Sequence, residues 1–375
     1  MLLSSLFYGP LSMDNLRDWL GLFLAPGLGP VLWNRLLAVF ETPTAVLEAS
    51  SKALQTVPGV GTKLASGINP VALRQAADKE FSTAAQKDTQ ILSLIDPRYP
   101  ALLRQIHDPP RVLYVRGDIS AITIPCIAMV GSRAATGFGK KVAHDFGRRL
   151  AGHGFAVVSG VALGIDGAAH RGALEAGQTI GVLGCGVDVV YPRSHRGLYQ
   201  AIVDNGVLVS EYPFGVRPDA HRFPARNRII SGLSLGVVVV EAAARSGSLI
   251  TAEMALDEGR DVFAIPGRVD SLKSCGAHRL LQDGAMLVQS VDDIILQLGY
   301  QSKAGTGAGD DEKSCTTDLT PEEKTLYGLL DVYPQTIDEL LVISGLRPDK
   351  IAELLLLLEL KGVVESLPGN QYKSA

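Results

Sequence analysis

Cysteine is scarce in this chain. The four present, Cys126, Cys185, Cys275 and Cys315, share no CxxC spacing. That spacing is what a zinc ribbon or redox pair needs, so they read as reduced thiols of a cytoplasmic protein, with no metal site. Long apolar runs are missing as well. No stretch approaches the roughly 20 residues of a membrane helix, so no membrane insertion is expected. The opening segment, MLLSSLFYGPLSM, has an apolar patch but no basic stretch of the kind that begins a secretory signal. Helical patterning starts at Asp14, which makes Met13 an alternative start. HExxH, GxSxG and the Walker A pattern are all absent, and with them the commonest zinc-protease, hydrolase and P-loop signatures.

Charge is modest but uneven. The net charge is −4 over 375 residues. From Asp310 onward there are 13 acidic and 6 basic side chains, a balance of −7, so the first 309 residues carry +3. The acidity belongs to the tail and leaves the body free to meet a polyanion.

The chain divides into four stretches. Residues 1–84 read as short helices with two Gly-apolar-Gly turns, APGLGP at 25–30 and VPGVGT at 57–62. That is a helix-hairpin-helix pattern, whose turn is either a phosphate holder or a plain tight connection. Residues 85–300 begin with two short extended segments and continue as a doubly wound α/β core. Its strand-like runs are 126–130, 155–158, 179–183, 206–209, 236–240 and 261–265. They are short, rich in β-branched residues and apolar on both faces, as buried parallel strands are, and helical patterns separate most of them. Residues 301–319 are small and charged, a linker. Residues 320–375 give three helical stretches and a hairpin, a winged-helix pattern. Its third helix carries Glu353, Glu359 and five consecutive leucines, which suits a protein contact better than groove reading.

Ligands of doubly wound sheets bind beyond the carboxyl ends of the strands. The loops there hold Gly131, Ser132 and Arg133 after the first core strand, and Ser159 and Gly160 after the second. Ser246, Gly247 and Ser248 follow the valine strand. The stretch HRFPARNRII precedes that strand and adds Arg222, Phe223, Arg226, Asn227 and Arg228. Three arginines crowd there with no local acid. Two readings stand. The arginines tie loops together through Glu211 and Glu241, or they fork onto phosphate oxygens of an anionic ligand. On the second reading Phe223 offers a stacking face for a base, and several such loops in a row suit a chain of phosphates. Arg226 and Arg228 are placed just before a helix, read from NRIISGL, that leads into the valine strand. Being two apart, they cannot share a helix face and are expected to have different partners.

A dinucleotide site is disfavoured. The first loop is G-x5-G-x-G, the second strand ends in Ser159-Gly160 where an acid belongs, and Val189 breaks the pattern begun by Gly184 and Gly186. No cofactor is expected. Asp166 and His170, four apart, fit a helix-start acid and a packed histidine better than an acid–base pair. Ser248 with Thr251 reads as a helix N-cap.

The segments MVGSRAATGFG, VVSGVALGIDGAAH, YPRSH, SEYPFG, FPARNRIISGLS, VVVVEAAARSGSLITAEMAL, VFAIPG and GAHRLLQDGA occur in this order. Together they resemble the DprA/Smf family, bacterial DNA-processing proteins of natural transformation. The resemblance covers about residues 90–300 and implies an extended Rossmann-like core. It implies a non-enzymatic binder of single-stranded DNA that protects incoming strands. It also implies loading of RecA recombinase onto strands coated by single-strand-binding protein, and a homodimer through the core. By the same resemblance, Gly131-Ser132-Arg133 is a phosphate loop and Arg226-Asn227-Arg228 adds backbone contacts. Relatives carry a lysine near the FP element, where this chain has His221 and Arg222. The competing expectation is a nucleoside-monophosphate phosphoribohydrolase on a related core. Its PGGxGT loop would fall on RSGSLIT, which lacks the double glycine and a glutamate.

Overall fold

The computed structural model describes residues 13–300, 319–330, 334–367 and 369–374. The alternative start at Met13 turns on residues 1–12, which lie outside these, as does most of the expected linker. Two compact units are present, Met1–Lys303 and Ala304–Ala375.

The first unit is built on one nine-stranded sheet. Its strands are β1 (Thr89–Ser93), β2 (Val112–Gly117), β3 (Cys126–Val130), β4 (Ala156–Ser159), β5 (Thr179–Leu183), β6 (Val207–Ser210), β7 (Gly236–Val239), β8 (Asp261–Ala264) and β9 (Met286–Leu287). Their order across the sheet is β1-β2-β6-β5-β4-β3-β7-β8-β9. From β6 to β9 every pairing is parallel, while β1 and β2 add antiparallel at one edge. The chain winds outward from β3 to β6, returns to the other side of β3 as β7, and winds outward again. The turning point therefore lies between β3 and β7, where an open α/β sheet leaves a crevice.

Alternation along the strands decides which helices cover which face. Ala128, Val130, Val158, Val182, Val237 and Val239 share a core with the helices Arg222–Leu233 and Gly247–Asp257. Ile127, Met129, Val157, Val238 and Phe263 share the opposite core with Gly137–Gly152 and Ile165–Leu174. Those last two helices lie unusually close. A Cβ on Gly147 would strike the backbone of Ala169, and one on Gly172 the backbone of His144.

The N-terminal helices, from Met13–Phe23 to Pro70–Gln86, build a core around Trp19, Trp33, Leu36 and Leu54 that continues onto Ile91, Val112 and Tyr114 of β1 and β2. The Trp19 indole N–H donates to the Arg111 carbonyl at 2.8 Å. Both expected tight turns are present, with Gly27 and Gly59 at φ +82° and +91°, values that favour glycine.

The second unit has helices Pro321–Tyr327, Ile337–Ser344 and Pro348–Leu360 and a three-stranded sheet of Gln335–Thr336, Gln371–Ser374 and Val364–Leu367. That is a winged helix. Reciprocal side-chain caps open the first two helices, Thr320 with Glu323 and Thr336 with Glu339.

Candidate nucleic-acid interface

A cleft of about 720 Å³ opens at the turning point of the sheet. The loops after β3, β4 and β7 and the helix Arg222–Leu233 wall it, presenting Ser132, Arg133, Phe223, Arg245 and Ser246.

Glu241, at the end of β7, organises the first loop from below. Its carboxylate accepts from the Thr136 amide at 3.0 Å and from the Thr136 hydroxyl, and its carbonyl accepts from the Ser132 amide at 2.7 Å. Thr136 in turn caps the helix Gly137–Gly152 by accepting from the Gly139 amide at 2.9 Å. Gly131 and Gly139 have no room for a Cβ, being pressed against Ile165 and the Glu241 carboxylate respectively. The loop is thus fixed from behind, and Arg133 alone of its charged groups stands exposed at the mouth. Its guanidinium lies 5.2 Å from the centre of the Phe223 ring, and Phe223 stacks on Tyr191 at 5.5 Å.

The arginines of the helix Arg222–Leu233 have three different fates. Arg222 donates to the Arg217 carbonyl at 2.6 Å and lies over the Tyr212 ring. Arg226 is only 4% exposed and donates to the Gly160 carbonyl at 2.9 Å and to the Val182 carbonyl. Burial pushes its pKa down, with the nearby Asp166 charge opposing. Arg228 pairs with Glu211 at 2.6 Å and reaches Asp108 at 3.4 Å. Arg226 and Arg228 do have different partners, as their spacing requires, but in this structure both are occupied within the protein. Their expected place just ahead of a helix is also corrected. The helix begins at Arg222 and contains them, because Pro224 falls in its first turn, where no backbone donor is needed.

Several other expected residues are structural in place. Ser159 is fully buried and its hydroxyl donates to the Met129 carbonyl at 2.6 Å. Gly160 is glycine because the Arg226 guanidinium fills the space of a Cβ. Asn227 reaches across to the Gly247 carbonyl at 3.4 Å. The cap of the helix Gly247–Asp257 is Ser246, not Ser248: Ser246 accepts from the Ser248 amide at 3.4 Å, and the two hydroxyls are 2.7 Å apart. Asp166 is held by the amides of Gly160 and Ala162 at 3.1 and 3.4 Å. Burial raises its pKa, while Arg226 and those amides oppose the rise. His170 bonds Thr179 at 2.7 Å inside the core. Asp166 and His170 thus have separate partners and do not form an acid–base pair.

Arg133 was expected at the site; what the sequence reading missed is that four further cations, Arg193, Arg196, Arg217 and Arg245, share its lack of a carboxylate partner. Among the described residues no ion pair involves Arg133, Arg193, Arg196, Arg217 or Arg245, and all five are exposed. They follow β3, β5, β6 and β7, all at the carboxyl edge. Acids at this edge are engaged elsewhere: Glu211 by Arg228, Asp188 by Lys87 at 2.7 Å, and Glu241 by Thr136. At about 4.8 Å per strand, the row from β7 to β6 spans roughly 19 Å. The signal was available, since Arg193 and Arg245 lie within the segments YPRSH and VVVVEAAARSGSLITAEMAL.

Comparison with known proteins accords with this geometry. Residues 90–299 match the DNA recombination-mediator protein A family, 311–370 the DprA winged helix domain, and 22–68 a SAM-like helix-hairpin-helix tandem. The protein Smf of Synechocystis is 34% identical over 95% of this chain and 98% of its own. The DNA processing protein DprA of Streptococcus pneumoniae is 44% identical over 60% of this chain and 80% of its own. A crystal structure of the S. pneumoniae protein superposes with a TM-score of 0.66 at 37% identity, covering 75% of this chain and 97% of that one. The Helicobacter pylori protein, whose structure describes a single-stranded DNA binding mode, gives 0.52 at 31% identity over 57% and 97%. This chain belongs to the DNA recombination-mediator protein A family, the DprA/Smf proteins.

Proposed function

We propose that the cleft binds single-stranded DNA by its phosphate backbone and that the chain acts in DNA processing during transformation and recombination. The observation that carries this reading is the row of five arginines without carboxylate partners across neighbouring loops of one sheet edge. A mononucleotide needs one such loop, whereas a row about 19 Å long suits successive phosphates. Gly131, Ser132 and Arg133 form the central contact, with Arg222, Ser246 and Gly247 beside it. The exposed face of Tyr191 takes the stacking role first given to Phe223, whose ring already meets Arg133 and Tyr191. Arg226, Arg228, Ser159, Gly160, Asn227 and Ser248 hold the loops in place. The likeness to the H. pylori protein supports the choice of a single strand.

On the same reading the chain is a non-enzymatic mediator in the cytoplasm. It shields incoming strands and hands them, as a homodimer, to RecA in the presence of single-strand-binding protein. Among the described residues no helix is long and apolar enough to cross a membrane. The deciding experiment is a salt titration with single- and double-stranded oligonucleotides of one sequence. Preference for the single strand, with affinity falling steeply in salt, is the expected result. Equal or absent binding, or release of free base from nucleoside monophosphates, would replace this reading with another.

A further inference from the structure

The helix Gly137–Gly152 starts at the cleft and runs away from it down one face of the sheet. Its solvent side is basic. Lys140, His144 and Arg148 recur every four residues, which keeps them within about 80° of arc and extends over about 12 Å. Lys140 and Arg148 are exposed, and among the described residues neither has an ion-pair partner. The nearby acids are drawn to the histidine between them: Asp145 lies 3.6 Å and Glu175 3.0 Å from the His144 ring. The neighbouring helix Ile165–Leu174 adds Arg171, exposed and also without an ion pair. Gly172 packs on the His144 backbone, which sets Arg171 beside the same stretch.

Such a face is more than a solvated helix surface. Solvated faces usually interleave charges of both signs at spacings of three or four residues. Here two acids, Asp145 and Glu175, stand against Lys140, Arg148 and Arg171, and both acids lie against His144, so the three cations outnumber them and have no ion pair among the described residues. The stripe begins in the first turn of the helix into which the Arg133 loop leads.

We propose that a bound strand leaves the cleft past Arg133 and continues along this helix, with Lys140, Arg148 and Arg171 on its phosphates. The inference rests on the reading of the cleft as a single-strand site. It makes the footprint longer than the cleft, and it gives the strand one exit over the face opposite the helix Arg222–Leu233. Contacts of this kind add affinity in proportion to length and are blind to base sequence.

The test uses the full chain carrying Lys140→Gln and Arg148→Gln together, both at exposed positions. Binding to a 6-nucleotide and a 30-nucleotide oligothymidylate is measured across a range of salt. For the long strand, affinity should fall roughly tenfold, and the slope of log K against log salt should shrink by about 1.4, or about 0.7 for each lost phosphate contact. For the short strand, both quantities should stay at the wild-type values. Equal losses for the two lengths, or none for either, would overturn the extended track. A larger loss with a 30-base-pair duplex than with the long strand would overturn it too, by showing the stripe to be a duplex contact. Failure of the wild-type chain to bind either single strand would instead refute the cleft reading beneath it.

Discussion

The Arg226 guanidinium donates to the Gly160 carbonyl at 2.9 Å, tying the helix ahead of β7 to the loop after β4. A second bond to the Val182 carbonyl brings in the end of β5. One buried cation thus holds together three of the segments that form the floor of the cleft. Arg226→Ala should cost about 3–5 kcal/mol, because it leaves two buried carbonyls without a donor and Asp166 without its neighbouring charge. Urea unfolding would measure it. A loss below about 1 kcal/mol would mean that the loops hold without it.

Arg133 and Arg228 should behave oppositely. Arg133→Ala removes an exposed cation, so stability should be unchanged while single-strand affinity drops about tenfold to a hundredfold and the salt slope falls by about 0.7. Arg228→Ala breaks a largely buried pair with Glu211. It should lower stability by about 3 kcal/mol and leave the affinity of the folded protein within about threefold. Thermal unfolding and fluorescence anisotropy on both variants separate the roles, and a reversed pattern would exchange them.

Acid should weaken the fold through His170. It is fully buried, and burial pushes its pKa down to about 3 from 6.5. Below pH 6.5 the unfolded chain gains a proton that the folded chain refuses, so stability falls as pH drops toward 3. The slope is about 1.4 kcal/mol per pH unit, or about 2 kcal/mol by pH 5. His170→Gln should be less stable at pH 7.5, because its contact with Thr179 changes, yet should lose less between pH 7.5 and 5. Parallel stability curves for the two proteins would assign the acid sensitivity elsewhere.

A chain ending at Lys303 should keep most single-strand affinity. Every residue of the proposed cleft lies in the first compact unit. Loss of binding by a folded truncated chain, checked by circular dichroism, would move the site or part of it into the winged helix.

The six core strands were legible because buried parallel strands must be apolar on both faces, and such short runs have few other uses. Each lies within one residue of its expected place. β9 was not legible, since two residues carry no period. The joining of β2 to β6 was hidden for another reason: antiparallel pairing at an edge depends on residues far apart in sequence. At the site, the sequence located the loops but not the partners of their charges. Glu211 was named as a possible tie, yet only the fold brings it to Arg228. Glu241 was offered to an arginine and instead binds Thr136, a contact between residues 105 apart that no local pattern announces. Arg193 and Arg196, together after β5, and Arg217 and Arg245, each alone in its loop, were passed over because none stands in a cluster like that of HRFPARNRII. They become a row only when the strands lie side by side.

The pairing of β3 with β7 also has a consequence in time. Ile127 lies opposite Gly236 and Val130 opposite Val239, so the centre of the sheet joins stretches separated by more than a quarter of the chain. At about 5–20 residues per second, a ribosome needs roughly 5–20 s to make the second after the first. Through that interval β3 has β4 on one side and nothing on the other. Its open edge invites a chaperone or another nascent chain. The cleft at that edge is complete only once β7 closes it, because Glu241, which fixes the Arg133 loop through Thr136, arrives with that strand.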